Sequence, residues 1–294
     1  MSKNILRQIG LALMLVALFI FLMAGCAAKK QFWGDPKTGL ILKYQMPKDQ
    51  VMKYQFTTDM KQNLEVMGNV MENLIATSYS FTAKSKGKKG GNNLLEIKVD
   101  SMKMSVNSPQ GDFSPDLSSV TGKSFDMTLS SIGKELDVSG AEEIKYDLGP
   151  EGERSIVSDF KTIFPDLAKK PVKVGDSWTT KDTVDIKSDR MDLKMTFEAV
   201  NTLVGFETFE GMECIKVTAK STGVMDGEGE QGGAGMVFEG DIESTDTWYF
   251  AYKKGVFVKS TSEGTTDATI VVSGPQNMTI PMTMEMKFET KLVK

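Results

Sequence analysis

Apolar and polar residues alternate with a period of two along most of the chain. In the first such stretch the apolar side chains, among them Tyr54 and Phe56, fall on even positions, and after Gly68-Asn69 they move to odd positions. Alternation places successive apolar side chains on one face, so it predicts half-buried β-strands. Gly-Asn suits a two-residue hairpin turn, and such a turn would place Phe56 opposite Phe81 and Tyr54 opposite Ala83.

Further strand patterns occur up to residue 138 and again after residue 171. The four predicted near the C-terminus are 212–222, 236–252, 256–272 and 278–293. Between the two strand-rich regions the apolar residues recur at helical spacing before Pro165, which ends the pattern: Ile156, Phe160, Ile163 and Phe164. This spacing predicts one short amphipathic helix near 153–164 that packs on the sheet.

The two strand-rich regions share features in the same order. The matching pairs, 116 to 124 residues apart, are Tyr54 and Trp178, Phe81 and Phe197, Ile97 and Ile215, and Gly133 and Gly255. We interpret them as a duplication, with chance similarity as the alternative. The predicted fold class is therefore mainly β: a large antiparallel curved sheet or half-barrel built from two similar halves. The first β repeat covers 41–148, a helical joint 149–170 and the second repeat 171–294.

The first 25 residues have the three zones of a secretory signal. Lys3 and Arg7 form a positive region, an apolar run follows over 9–24, and small residues stand directly before Cys26. This order predicts a cleaved signal peptide over 1–25. The alternative is an uncleaved membrane helix, since the run of about 16 residues lies between a signal core of 7–15 and a spanning helix of about 17–25. The small-residue ending favours cleavage.

The exported part is mildly acidic. Removing 1–25 takes away Lys3 and Arg7 and leaves 33 basic residues against 39 acidic ones, a net charge of −6. This balance argues against nucleic acid as a partner. If Cys26 is modified, Cys214 is the one remaining thiol, so no internal disulfide can form. Its strand-like surroundings predict a small buried core residue.

The composition offers no ordinary catalytic machinery. The absence of histidine excludes a Ser-His-Asp or Cys-His nucleophile pair and any His-ligated metal. The glycine-rich stretch 227–235 lacks the lysine and following helix of a phosphate-binding loop, so it predicts a flexible hairpin tip. Its acids, Asp226, Glu228 and Glu230, lack the calcium-loop pattern. We therefore expect no catalytic residue, no metal and no cofactor.

The segment Leu22-Met23-Ala24-Gly25-Cys26 resembles the lipobox of bacterial lipoproteins, with Met23 where leucine is usual. The resemblance implies that the Cys26 thiol receives diacylglycerol, that cleavage occurs before Cys26 and that its new amine is acylated. Residues 26–40 would then be the lipidated N-terminus and tether. Because Ala27 and not aspartate follows the cysteine, the resemblance implies the outer membrane, facing the periplasm, in a host with two membranes.

Later motifs are similar to those of an uncharacterised family of β-rich bacterial lipoproteins. They are Leu42-Lys43-Tyr44, Phe164-Pro165, Pro171 to Trp178, Trp248-Tyr249-Phe250 and Gly255-Val256-Phe257-Val258. The layout also resembles, at the level of fold alone, the half-barrel carriers of the lipoprotein-sorting type, whose curved sheet holds acyl chains.

Two functions follow from these features. The first is a non-catalytic, membrane-anchored envelope protein that binds a lipid or other apolar ligand. Its support is the methionine on the strand faces: the chain has 20 methionines, and this side chain adapts to irregular ligands. The candidate ligand-binding residues are Phe197, Met284, Met286 and Phe288. The alternative is a structural or protein-interaction lipoprotein without a small ligand. The sequence does not identify a protein partner.

Replacing the predicted lipid acceptor tests the anchor. We expect a Cys26→Ser chain to stay uncleaved or to leave the membrane fraction, because serine offers no thiol for the lipid. Intact mass and membrane fractionation measure both effects, with Cys214→Ser as a control that still matures. If the Cys26→Ser chain matures and partitions as before, the anchor prediction is wrong.

Overall fold

The computed structural model describes residues 32–149, 152–274 and 277–293. Strands dominate these ranges, and the helices among them are single 3-10 turns. The predicted fold class, a mainly β protein with a large antiparallel sheet curled into a half-barrel, is confirmed. The predicted signal peptide and Cys26 lie outside the described residues.

Eleven strands form one continuous antiparallel sheet. Numbered along the chain, the strands of the described residues are Gly34–Asp35 (β1), Gly39–Leu40 (β2), Val51–Val66 (β3), Asn69–Lys89 (β4), Asn92–Asn107 (β5), Ser124–Leu129 (β6), Glu135–Asp137 (β7), Lys145–Asp147 (β8), Glu153–Ser155 (β9), Ser177–Lys187 (β10), Met191–Phe209 (β11), Met212–Gln231 (β12), Ala234–Ala251 (β13), Val256–Ser273 (β14) and Met278–Leu292 (β15). The large sheet has the order β10-β11-β12-β13-β14-β15-β3-β4-β5-β6-β7. Since β15 pairs with β3, the two strand-rich regions share one sheet.

The first hairpin forms where predicted, but its register differs by two residues. Its turn is Met67-Gly68, and Tyr54 faces Phe81. Met67 and Gly68 both have positive φ, 51° and 78°, as a type I′ turn requires, and glycine takes the second position. A shift of two residues keeps every side chain on its predicted face, and it stacks Tyr54 on Phe81 at 5.3 Å.

The main hydrophobic core lies on one face of the sheet, which we call the inner face. Sheet residues such as Phe81 and Trp248 pack there against a second layer. This layer consists of three stretches outside the large sheet: the N-terminal run 40–46, the β5–β6 connection with Leu117 and Val120, and the inner segment 138–172. The core at this end of the sheet is therefore filled by the chain's own side chains.

The predicted helix near 153–164 is wrong in extent. The region holds the short strand β9 and a single 3-10 turn at Ser158–Phe160, and Thr162 then takes a positive φ of 60°. The four apolar residues behind the prediction are nevertheless all buried. Phe160 packs on Phe81 and Phe125 with ring centroids 5.3 and 4.9 Å apart. Helical spacing thus marked a buried segment whose backbone is irregular.

Beyond Leu40, which pairs in the short β1–β2 sheet, the N-terminal run is buried outside any strand. Alternate residues Leu40, Leu42, Tyr44 and Met46 are at most 1% exposed. The backbone N–H of Tyr44 donates to Ser131 O at 2.8 Å, and that of Gln45 donates to Gly255 O at 2.8 Å. The run therefore connects the β6–β7 turn with the β13–β14 turn.

The matching features of the two regions fall on corresponding elements. Tyr54 and Trp178 lie on β3 and β10, and the glycines of the fourth pair precede β7 and β14. The intermediate pairs lie on β4 and β11 and on β5 and β12. Strand β15 follows the second set without a counterpart in the first. The duplication and its boundaries stay predictions.

Adding a methyl group at Gly255 should weaken the contact with the N-terminal run. Gly255 has a φ of 70°, and a Cβ there would lie 2.7 Å from Gln45 N and 2.8 Å from Lys43 O. We expect Gly255→Ala to lower the free energy of unfolding by about 2–4 kcal/mol. Gly211→Ala is the control, because φ is 75° but nothing lies within 4 Å; about 1 kcal/mol is expected there. Denaturant titration compares them, and equal losses would contradict the role of this contact.

Candidate functional site

A second apolar cluster lies on the inner face beyond the main core. Its buried members are Leu193, Met225, Phe238, Ile242, Ile270 and Met282, and its partly buried ones are Leu64, Ile186, Met191, Met195, Phe197, Met236, Ala268, Val272, Ile280 and Met284. Six of these residues are methionines, and we call the cluster the methionine face. On β13, Trp248 of the main core and Phe238 of the methionine face share the inner face, and they lie ten positions apart along the strand, a distance of about 33 Å.

The methionine face has no second layer among the described residues. Every member belongs to a strand of the large sheet, whereas the main core also takes in the N-terminal run and the inner segment. A sheet with an apolar face normally buries that face against another layer. The partly buried members therefore remain accessible on one side.

Glycines of β12 make room for this cluster. A Cβ at Gly223 would lie 2.8 Å from Cδ1 of Phe197, and one at Gly227 would lie 2.5 Å from Cδ2 of Leu193. The prediction of a flexible tip over 227–235 is therefore wrong for most of its length, since β12 continues to Gln231 and the turn is Gly232-Gly233. Because these glycines have no side chain, Phe197 and Leu193 of β11 can lie across β12.

The four predicted ligand-binding residues are not gathered in one pocket. Phe197 and Met284 both belong to the methionine face. They lie on one transverse row of the sheet, four strand spacings or about 19 Å apart. Phe288 lies farther along β15, with its ring centroid 6.0 Å from that of Phe56. Met286 stands between these positions on the same face.

An open cavity of about 1010 Å³ crosses seven strands, from β12 through β15 and β3 to β5. Met286 lines it together with residues paired in register, including Ser221, Ser244 and Met60. Its charged lining residues are Asp59, Lys61, Lys220, Glu243, Glu263, Glu285 and Lys287. The cavity is thus mixed in character, and the purely apolar surface is the methionine face beside it.

A charged cluster ties the two edges of the half-barrel together. Lys134 precedes the edge strand β7, and its Nζ lies 2.5 Å from Asp182 Oδ1 on the opposite edge strand, β10. The same Nζ lies 2.5 Å from Asp166 Oδ2 and donates to the carbonyl of Lys181 at 2.7 Å. One ammonium therefore links β10, the β7 edge and the end of the inner segment.

Two carboxyls have raised pKa values here: Asp166 of the cluster and Glu135, the residue after Lys134. Desolvation raises the pKa of Glu135 to about 8, although its Oε1 accepts a hydrogen bond from Phe164 N at 3.1 Å. Burial also raises the pKa of Asp166, to about 6. Sequence reasoning missed this cluster, because its members lie up to 48 residues apart and no local pattern pairs them.

The remaining chemistry is sparse. Cys214 is fully buried, as predicted, and its thiol lies 3.5 Å from Met212 O. Desolvation raises the pKa of this thiol to about 11, so it is a poor nucleophile. Within the described residues no group of three or more Cys, Asp or Glu side chains could hold a metal ion. No helix among those residues is long and apolar enough to span a membrane.

The fold and site define a β-rich half-barrel with a single-layer apolar face. No protein-family model and no curated protein matches the chain. Solved structures from Pseudomonas aeruginosa that are similar to it include OccK2 (OpdF), at 6% identity and a TM-score of 0.28, covering 85% of this chain and 100% of that one. The outer membrane protein OprD matches at 7% identity and a TM-score of 0.21, covering 84% of this chain and 94% of its own. At these TM-scores the likeness carries no argument about fold or function.

The raised pKa of Glu135 makes stability depend on pH. Between about pH 4.5 and 8 the folded chain keeps this proton while the unfolded chain releases it, so stability falls as pH rises through that window. The loss for one group is at most about 1.4 kcal/mol per pH unit. Asp166 acts in the same direction up to about pH 6.

We expect Glu135→Gln to flatten this dependence above pH 6, measured as the denaturant midpoint between pH 5 and 9. Glu142→Gln is the control, because Glu142 is exposed in a 3-10 turn. A Glu135→Gln chain that keeps the full slope would show that another group causes it.

Proposed function

We propose that this protein is a non-catalytic envelope lipoprotein, anchored through lipid on Cys26, whose methionine face binds acyl chains or another apolar ligand. The observation that carries the proposal is the single-layer methionine face. It combines partly buried apolar side chains with the absence of a covering layer among the described residues. Apolar surface of this kind marks a binding site for a ligand or partner.

Methionine suits such a site. Its unbranched, polarizable side chain adapts to ligands of irregular shape. Met191, Met195, Met236 and Met284 are all partly buried members of the face. Acyl chains gain about 0.8 kcal/mol for each CH₂ removed from water, so even a shallow apolar surface supports binding.

The anchor and location rest on the sequence. The lipobox-like segment supports lipidation of Cys26, and Ala27 supports the outer membrane, facing the periplasm, in a host with two membranes. The partners in this proposal are the membrane, through the lipid, and an apolar ligand. No cofactor is required.

The second candidate is a structural or protein-interaction lipoprotein with no small ligand. The filled main core favours it, because that end of the half-barrel leaves no room for a ligand. In this case the methionine face would cover apolar surface of a protein partner.

Lipid carried by the full-length chain distinguishes the two candidates. We expect protein extracted from its own host membrane in cholate to retain lipid, measured by mass spectrometry. The pair Met195→Gln and Met284→Gln should lower the retained amount by at least about tenfold, because each methionine contributes about 1.5–3 kcal/mol when buried.

The control is Val224→Gln with Val271→Gln. These valines are 50% and 45% exposed, and they alternate with Met225 and Ile270 on the opposite face. Equal melting temperatures would show that both chains fold. Repeated absence of lipid from the original chain, or equal loss in both variants, would overturn the ligand proposal and favour the second candidate.

A further inference from the structure

A group of polar side chains interrupts the inner face between the main core and the methionine face. Ser221 lies on β12 between Val217 of the core and Met225, and Ser244 and Asp246 lie on β13 between Trp248 and Ile242. Thr266 of β14 lies directly opposite Ile242 in the sheet register. We call Ser221, Ser244, Asp246 and Thr266 the polar belt.

Asp246 is unusual for its position. Along the inner-face positions of β12 from Ile215 onward, and of β13 to β15, it is the only charged residue, and no lysine or arginine occupies these positions. Within the part of the chain that the structure describes, no ion pair includes it. Asp246 is partly buried, and the part of a carboxylate removed from water is stabilised by hydrogen-bond donors or a cation.

The belt offers hydrogen-bond acceptors. Ser221 Oγ donates to Asp246 Oδ2 at 3.2 Å, and Ser244 Oγ donates to the same oxygen at 3.3 Å. Both hydroxyl protons are therefore directed at Asp246, and the serine lone pairs and Asp246 Oδ1 remain as acceptors. An ammonium group, with three N–H donors and a positive charge, matches this arrangement.

A second unsatisfied polar group lies four residues along the sheet from Asp246, about 13 Å away, at the border of the methionine face. Thr266 is 1% exposed, and its Oγ1 has no hydrogen-bond partner. Leaving a buried hydroxyl unpaired is unfavourable, and native structures usually satisfy such groups with a partner or a ligand. Thr266 stands between Ile242 and Met284 of the methionine face on the same transverse row.

We propose that the polar belt binds the amine-bearing headgroup of an amphiphile whose chains lie on the methionine face. The inference rests on the proposed function, because the chains supply most of the affinity. Thr266 joins the two parts of the site, since it belongs to the belt and lies between two residues of the methionine face. Asp246 selects the headgroup by its charge.

The test compares two lipids with the same chains and different headgroups. The full-length chain, extracted in cholate, is equilibrated with mixed micelles of phosphatidylethanolamine and phosphatidylglycerol in equal amounts, and the retained lipids are quantified by mass spectrometry. We expect phosphatidylethanolamine to be enriched about fivefold, the ratio that a partly exposed ion pair supports.

Asp246→Asn should bring that ratio to about one, because phosphatidylethanolamine loses its contact with the carboxylate while phosphatidylglycerol loses none. Asparagine keeps the shape and an oxygen acceptor for the two serines, so the fold should persist. Asp241→Asn is the matched control, because Asp241 is exposed on the opposite face of the same strand; its ratio should equal that of the original chain.

The outcomes separate the two proposals. Retained lipid without headgroup preference, or a preference that Asp246→Asn leaves intact, overturns the headgroup assignment and leaves the proposed function standing. A chain that retains neither lipid overturns both. Enrichment that disappears in Asp246→Asn and persists in Asp241→Asn supports the assignment.

Discussion

The fold depends on burying an extended run that belongs to no large sheet. Leu40, Leu42, Tyr44 and Met46 enter the core, while backbone donors of the run pair with Ser131, beside β7, and Gly255, before β14. Tyr44 also donates its hydroxyl to Pro165 O at 2.9 Å and packs edge-on against Phe250. Buried backbone groups must be paired, so this run fixes the turns of two distant hairpins and the end of the inner segment together.

This arrangement explains why the two ends of the inner face differ. The run and the inner segment occupy one end and fill it, and Lys134 ties the sheet edges there. Strands β12 and β13 continue beyond this layer, to Gln231 on β12 and from Ala234 on β13. Their inner face stays apolar without a cover among the described residues, which is an unfavourable arrangement unless a ligand or partner completes it.

The sequence predicted which face of the sheet a residue occupies better than it predicted which residues pair across neighbouring strands. Alternation placed Tyr54 and Phe81 on one face, but a shift of two residues preserves alternation, so it could not determine that they are direct partners. Spacing at 156, 160, 163 and 164 identified buried residues, and a positive φ at Thr162 ended any helix there. Phe197 and Met284 were predicted from methionine-rich strands and share the methionine face, whereas Asp246 and Lys134 depend on contacts between distant strands.

The outer face of β11 to β14, opposite the methionine face, carries exposed acidic residues. Asp192 faces Glu228, Asp226 faces Glu239 and Asp241 faces Asp267 across neighbouring strands, and all six are exposed. Like charges directly opposite each other repel, and water must solvate them. The outer face is therefore solvated at these six positions, whereas the inner face of the same strands carries the methionine face. In the proposed complex Asp246 is the charged inner-face residue of β13, so it would hold the headgroup at the end of the chains nearer the main core.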